Sequence, residues 1–86
     1  MKILDITAIT RKETCIYYRR EFVGIASYDL PGRKTDGHIE FTIETTPLGK
    51  KDITVKLVDP VDYPVLPVMQ TLKAHILSLD SEGKLP

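Results

Sequence analysis

His38-Ile39-Glu40-Phe41-Thr42-Ile43-Glu44-Thr45 is followed, one loop later, by Asp52-Ile53-Thr54-Val55-Lys56-Leu57-Val58. In both stretches apolar and polar residues alternate one for one. Side chains on an extended chain point to opposite faces in turn, so each stretch is expected to be a strand with one dry and one wet face. The connection Thr46-Pro47-Leu48-Gly49-Lys50-Lys51 is rich in turn formers and of hairpin length. An antiparallel hairpin follows, with Ile39, Phe41, Ile43, Ile53, Val55 and Leu57 on its dry side. Thr42, Glu44, Thr54, Lys56 and Val58 face the other way.

The C-terminal third supplies the cover for that dry face. Val65, Val68, Met69, Leu72, Ile76 and Leu79 recur at helical spacing and form one stripe. Pro64 and Pro67 belong in or before the first turn, where a missing N–H costs least. Asp62 is placed to cap the helix, and Gly83 to stop it. A helix over 65–80 would be about 24 Å long, against about 26 Å for an eight-residue strand, so it spans the sheet.

Upstream, 22–28 reads as another strand (Phe22, Val23, Ile25, Ala26, Tyr28), and 30–37, with Pro31, Gly32 and Gly37, as the loop after it. Residues 2–9 are rich in β-branched side chains and read as a first strand. Residues 10–21 are contested: Thr10-Arg11-Lys12-Glu13 matches a helix capping box, but Thr14-Cys15-Ile16-Tyr17-Tyr18 has strand composition, and a strand is preferred. The expected fold is α+β, a mostly antiparallel sheet of four to five strands with one C-terminal helix packed across one face. The 86 residues make room for one small domain, 1–86, with a core too thin to enclose a large cavity.

Charge argues against a dedicated nucleic-acid binder, because 12 basic residues cancel 12 acidic ones and phosphate neutralisation needs an excess of cations. Cys15 is the only cysteine. That removes an intramolecular disulfide and any multi-cysteine zinc site, and favours a reducing compartment, most simply the cytoplasm. No apolar run nears the roughly 20 residues a membrane span needs. Asp5 interrupts the apolar start of the chain, as a signal peptide would not allow. No cofactor and no metal are expected. Gly32-Arg33-Lys34-Thr35-Asp36-Gly37 has the glycine spacing of a phosphate loop, but His38 and Ile39 stand where Lys and Ser/Thr are required, and a strand follows in place of a helix.

The residues most suggestive of binding are Tyr17, Tyr18, Arg19 and Arg20, with Arg33 and Lys34 on the next loop. Tyrosines 17, 18 and 28 cannot all fit so thin a core, so at least one shows aromatic surface. Exposed Tyr beside Arg is enriched at protein interfaces, and open sheet edges invite strand addition. Glu13 and Glu21 flank the arginines, which also suits a salt-bridged, solvated face. The leading expectation is a non-catalytic module that associates with itself or with a protein partner through Tyr17, Tyr18, Arg19 and Arg20 or a sheet edge. An alternative is a binder of nucleotides or single strands through Arg19, Arg20, Arg33 and Lys34. An enzyme, or enzyme subunit, comes third. It would require a pocket that joins His38 or His75 to a carboxylate or to Cys15.

Overall fold

Alternation from Ile39 to Ile43 is the middle of a strand longer than the pattern alone marks. The computed structural model describes residues 2–13 and 16–86. It has four strands, β1 (Lys2–Lys12), β2 (Arg19–Leu30), β3 (Arg33–Thr45) and β4 (Lys51–Leu57), then one helix, α1 (Val65–Ser81). The strands form a single antiparallel sheet in the order β1-β2-β3-β4. This is the expected α+β architecture with its C-terminal helix. The contested segment 10–21 contains no helix in its described part: β1 runs on through Lys12, and β2 begins at Arg19.

One boundary differs from expectation. Residues 30–37 are not a loop. Leu30 pairs with Arg33 and the ladder continues at once, Lys34 opposite Asp29 and Asp36 opposite Ser27. The reversal takes only Pro31 and Gly32. Proline fixes the φ of the first corner, and Gly32 sits at φ +79°, the conformation a type II turn requires of its second corner. With the turn so short, Lys34, Thr35 and Asp36 are held extended by pairing despite weak strand propensity.

β1 shows a second local rule broken and compensated. Ile3, Ile6 and Ile9 are three residues apart, yet Ile3 and Ile6 lie in the core and Ile9 packs against it. The register with β2 slips between Ile3 and Asp5 and again between Thr7 and Thr10. Each bulge adds one residue and reverses the phase of the alternation, so a spacing of three returns to the same face. Gly24 lies under the second bulge, where a Cβ would come within 3.2 Å of Ile6 Cγ2 and 3.3 Å of the Thr7 carbonyl oxygen. The same bulge holds Ala8 at φ +51°, a left-handed conformation that costs an L-residue roughly 1–2 kcal/mol. Ala8→Gly is therefore expected to stabilise the fold by about 0.5–1 kcal/mol after the glycine entropy cost, raising Tm by roughly 2–8 °C. A thermal melt showing no gain would mean that the bulge does not impose this conformation.

The dry face carries Phe22, Ala26, Tyr28, Ile39, Phe41, Ile43 and Val55, and Val68, Leu72 and Ile76 of α1 complete the core. Met69 and Leu79 pack at its margin. Val65 is 59% exposed; it stands in the first helical turn, at the end of the stripe. Asp62 does not cap the helix. Pro64 occupies that position without a side-chain hydrogen bond, and Asp62 instead reaches Arg33 at 3.2 Å. The other end follows expectation: Gly83 is at φ +70°, its N–H donates to Asp80 O, and Lys84 N–H donates to Leu79 O. These two bonds form a Schellman stop.

Candidate functional site

Arg19 N–H donates to Ile16 O at 3.2 Å, and Thr45 N–H donates to Tyr18 O at 2.9 Å. These bonds fix a turn with Tyr17 and Tyr18 at its apex, beyond the last ladder pair of β2 and β3. Tyr17 is 96% exposed and Tyr18 49% exposed. Their rings meet edge to face, centroids 5.7 Å apart. Beside them the β3–β4 loop is closed by Thr46 N–H to Lys50 O and Gly49 N–H to Thr46 O. Between turn and loop lies an open groove lined by Tyr17, Tyr18, Glu44, Thr46, Pro47 and Asp52. Its character is aromatic and acidic. The third tyrosine, Tyr28, is fully buried.

The two neighbouring arginines diverge, as alternation along a strand demands. Arg19 is on the wet face and pairs with Glu44 at 3.0 Å and Glu21 at 3.8 Å. Arg20 is on the dry side and reaches Asp80 of α1 at 3.0 Å. Lys51 meets the same carboxylate. Arg33 and Lys34 begin β3, eleven ladder steps from Arg19, which is about 37 Å at strand rise. Tyr17, Tyr18 and Arg19 thus share one end of the molecule, Arg20 braces the helix, and Arg33 and Lys34 occupy the far end. Cys15 lies outside the described residues.

Sequence nominates His38 on residue type alone, and the structure adds its partner. Asp59 Oδ2 accepts the His38 backbone N–H at 2.8 Å and lies 2.7 Å from Nδ1 of the ring. That backbone bond, then the ring, hold the Asp59 carboxyl below its ordinary range. His38 also borders a shallow apolar groove with Ala8, Val23, Ile25 and Val58. The sequence hid this pair because 21 residues separate its members. Both side chains are well exposed, and the groove lining includes no hydroxyl, thiol or amine nucleophile. The arrangement ties the segment after β4 to β3. His75, on α1, has Nε2 buried without a hydrogen-bond partner among the described residues. Among those residues no group of three or more His, Cys, Asp or Glu is placed to hold a metal, and no helix is long and apolar enough to cross a membrane.

A model of the BB_0187 family matches residues 1–81. The chain belongs to the BB_0187 family. No curated protein and no solved structure matches this family member.

Proposed function

We propose that this chain is a non-catalytic protein-interaction or self-association module working in the cytoplasm. The observation that carries the reading is the Tyr17–Tyr18 pair, two aromatic rings presented to solvent on a turn whose backbone is fixed from both sides. A rigid aromatic projection gives contact area at little entropic cost, and such side chains dominate binding energy at interfaces. Arg19 stands beside it, held by Glu44 and Glu21 and aimed away from the core. Arg20 belongs to the fold in this reading, since Asp80 needs it. The acids Glu44 and Asp52 in the tyrosine groove favour a protein surface over a phosphate backbone.

The test is association measured with the Tyr17→Ser/Tyr18→Ser variant. Both rings are largely outside the core, so the circular dichroism spectrum and urea midpoint should stay at wild-type values. Native mass spectrometry of the protein from its own cells is expected to show a stoichiometric complex, with a copy of itself or another protein. The double variant should weaken that complex by about 30-fold or more, the scale of losing an interface hot spot. A folded variant with an unchanged dissociation constant would remove Tyr17 and Tyr18 from the interface. A chain that carries nucleotide or oligonucleotide and no protein would replace the reading altogether.

A further inference from the structure

The sheet has two outer strands, and they are not alike. β1 is broken by two bulges, a common means of discouraging strand addition. β4 pairs with β3 without interruption from Lys51 to Leu57 and contains neither bulge nor proline. Val58 N–H donates to His38 O, and Thr46 N–H to Lys50 O. The antiparallel alternation therefore turns the main-chain groups of even-numbered β4 residues toward β3 and leaves those of Lys51, Ile53, Val55 and Leu57 facing outward.

We propose that this edge pairs with the β4 of a second copy, antiparallel about a two-fold axis at Thr54. This rests on the reading of the chain as an association module and names the partner. In that register Ile53 faces Val55 of the second copy on the dry side. Asp52 faces Lys56 on the wet side, and Lys51 faces Leu57. The outward groups of all four odd-numbered residues are then used, giving about eight main-chain hydrogen bonds across the junction. Opposite charges meet twice. Shifting the axis by one residue to Ile53 or Val55 loses both charge pairs.

Asp52 supplies an independent reason. Within one chain it stands opposite Glu44, and like charges opposed across a ladder are unfavourable. Lys56 lies opposite Glu40 at a loose 3.9 Å. The second copy brings Lys56 to Asp52 and relieves the acidic pair. An exposed lysine on an edge strand ordinarily repels added strands, so this edge accepts a partner with an acid at the matching position, as its own copy has. The two-fold axis is perpendicular to the sheet and keeps both helices on one side. Val65 and Met69 line a groove with Leu57 and Val58 beside this edge. Leu66 and Leu77, both exposed, lie a further 60–80° or so around the helix from Met69 at 100° per residue, toward the neighbouring helix.

Sedimentation equilibrium decides it. Wild type should dimerise. Lys56→Asp and Asp52→Lys, each creating two like-charge contacts, should each raise the dimer dissociation constant about tenfold or more. Asp52→Lys/Lys56→Asp together restores complementarity and should recover dimerisation. Circular dichroism confirms that each variant is folded, and a variant that unfolds is replaced by Lys56→Gln, which should weaken the dimer less but in the same direction. Hydrogen exchange should show the Ile53 and Val55 amides protected in the dimer. A monomeric wild type, a dimer indifferent to Lys56→Asp, or a double variant no better than the singles would overturn the β4 pairing. If Tyr17→Ser/Tyr18→Ser still abolishes association with another protein, the β4 proposal alone has failed. If the chain associates with nothing, both have failed.

Discussion

Phe41→Ala is expected to cost about 3–5 kcal/mol, the range for deleting a buried aromatic ring. Phe41 lies at the centre of the dry face, 1% exposed, and directly opposite Phe22 in the β2–β3 register. The two rings stack with centroids 4.9 Å apart and planes 21° from parallel. The loss therefore combines transfer energy, a cavity beneath α1, and a ring pair worth about 0.5–1.5 kcal/mol beyond its buried area. A chain of this length has a stability of roughly 4–13 kcal/mol at usual per-residue values, so the variant is left marginal. With a urea dependence of about 1 kcal/mol per molar, the midpoint should fall by about 3 M. Phe41→Leu should lose much less. A cycle with Phe22→Leu separates the pair term from simple burial. A drop below about 1 M for Phe41→Ala would place the core elsewhere, because so small a loss is that of a surface substitution.

Phe41 could be nominated as core from sequence because strict alternation leaves one face no other role. The same logic placed Ile39, Ile43 and Val55, all buried, and helical spacing placed Val68, Leu72 and Ile76. Alternation failed where the backbone departs from it. The Ile3, Ile6 and Ile9 spacing is neither two nor 3.6, and only the bulges explain it; the trace of them in the sequence is Gly24, a small residue inside an apolar strand. The start of β3 was hidden because Lys34, Thr35 and Asp36 resemble a loop. Pro31-Gly32 was the available signal, since two such residues can form the whole reversal and leave the next ones free to pair.

The candidate site was legible in part for a related reason. Exposure of Tyr17 and Tyr18 followed from the limited volume of the core, a property of the whole chain. The partners of the arginines did not follow, because ion pairs across 25 or 60 residues depend on register and on helix placement. Strand parity alone would have shown that Arg19 and Arg20 point to opposite faces. It could not have shown that the dry-side arginine meets a carboxylate.

That carboxylate is Asp80, and local rules argue against it. It lies in the last turn of α1, where the helix dipole disfavours negative charge. Its side chain is only 7% exposed, yet it receives Arg20 from β2 and Lys51 from β4, so one acid ties the end of the helix to two strands. The bond from Arg20 is the main cause holding its carboxyl below the ordinary range, with Lys51 adding to it. Asp80→Asn should cost about 1–2 kcal/mol at neutral pH. That is less than for a wholly buried pair, because Arg20 and Lys51 retain access to water. The sign of the pH dependence follows from linkage. A carboxyl whose folded value is depressed stabilises the fold fully above its unfolded value, near 3.8, and that contribution is lost as pH falls through the lower folded value. The gap between wild type and Asp80→Asn should therefore be constant from neutral pH down to about 5, then close in more acid solution. Asp59, depressed in the same direction, leaves a residual acid dependence in the variant. Urea midpoints from pH 7 down to about 2 measure both effects. A gap that persists unchanged at the acid end would mean that Asp80 acts through packing and not through its charge.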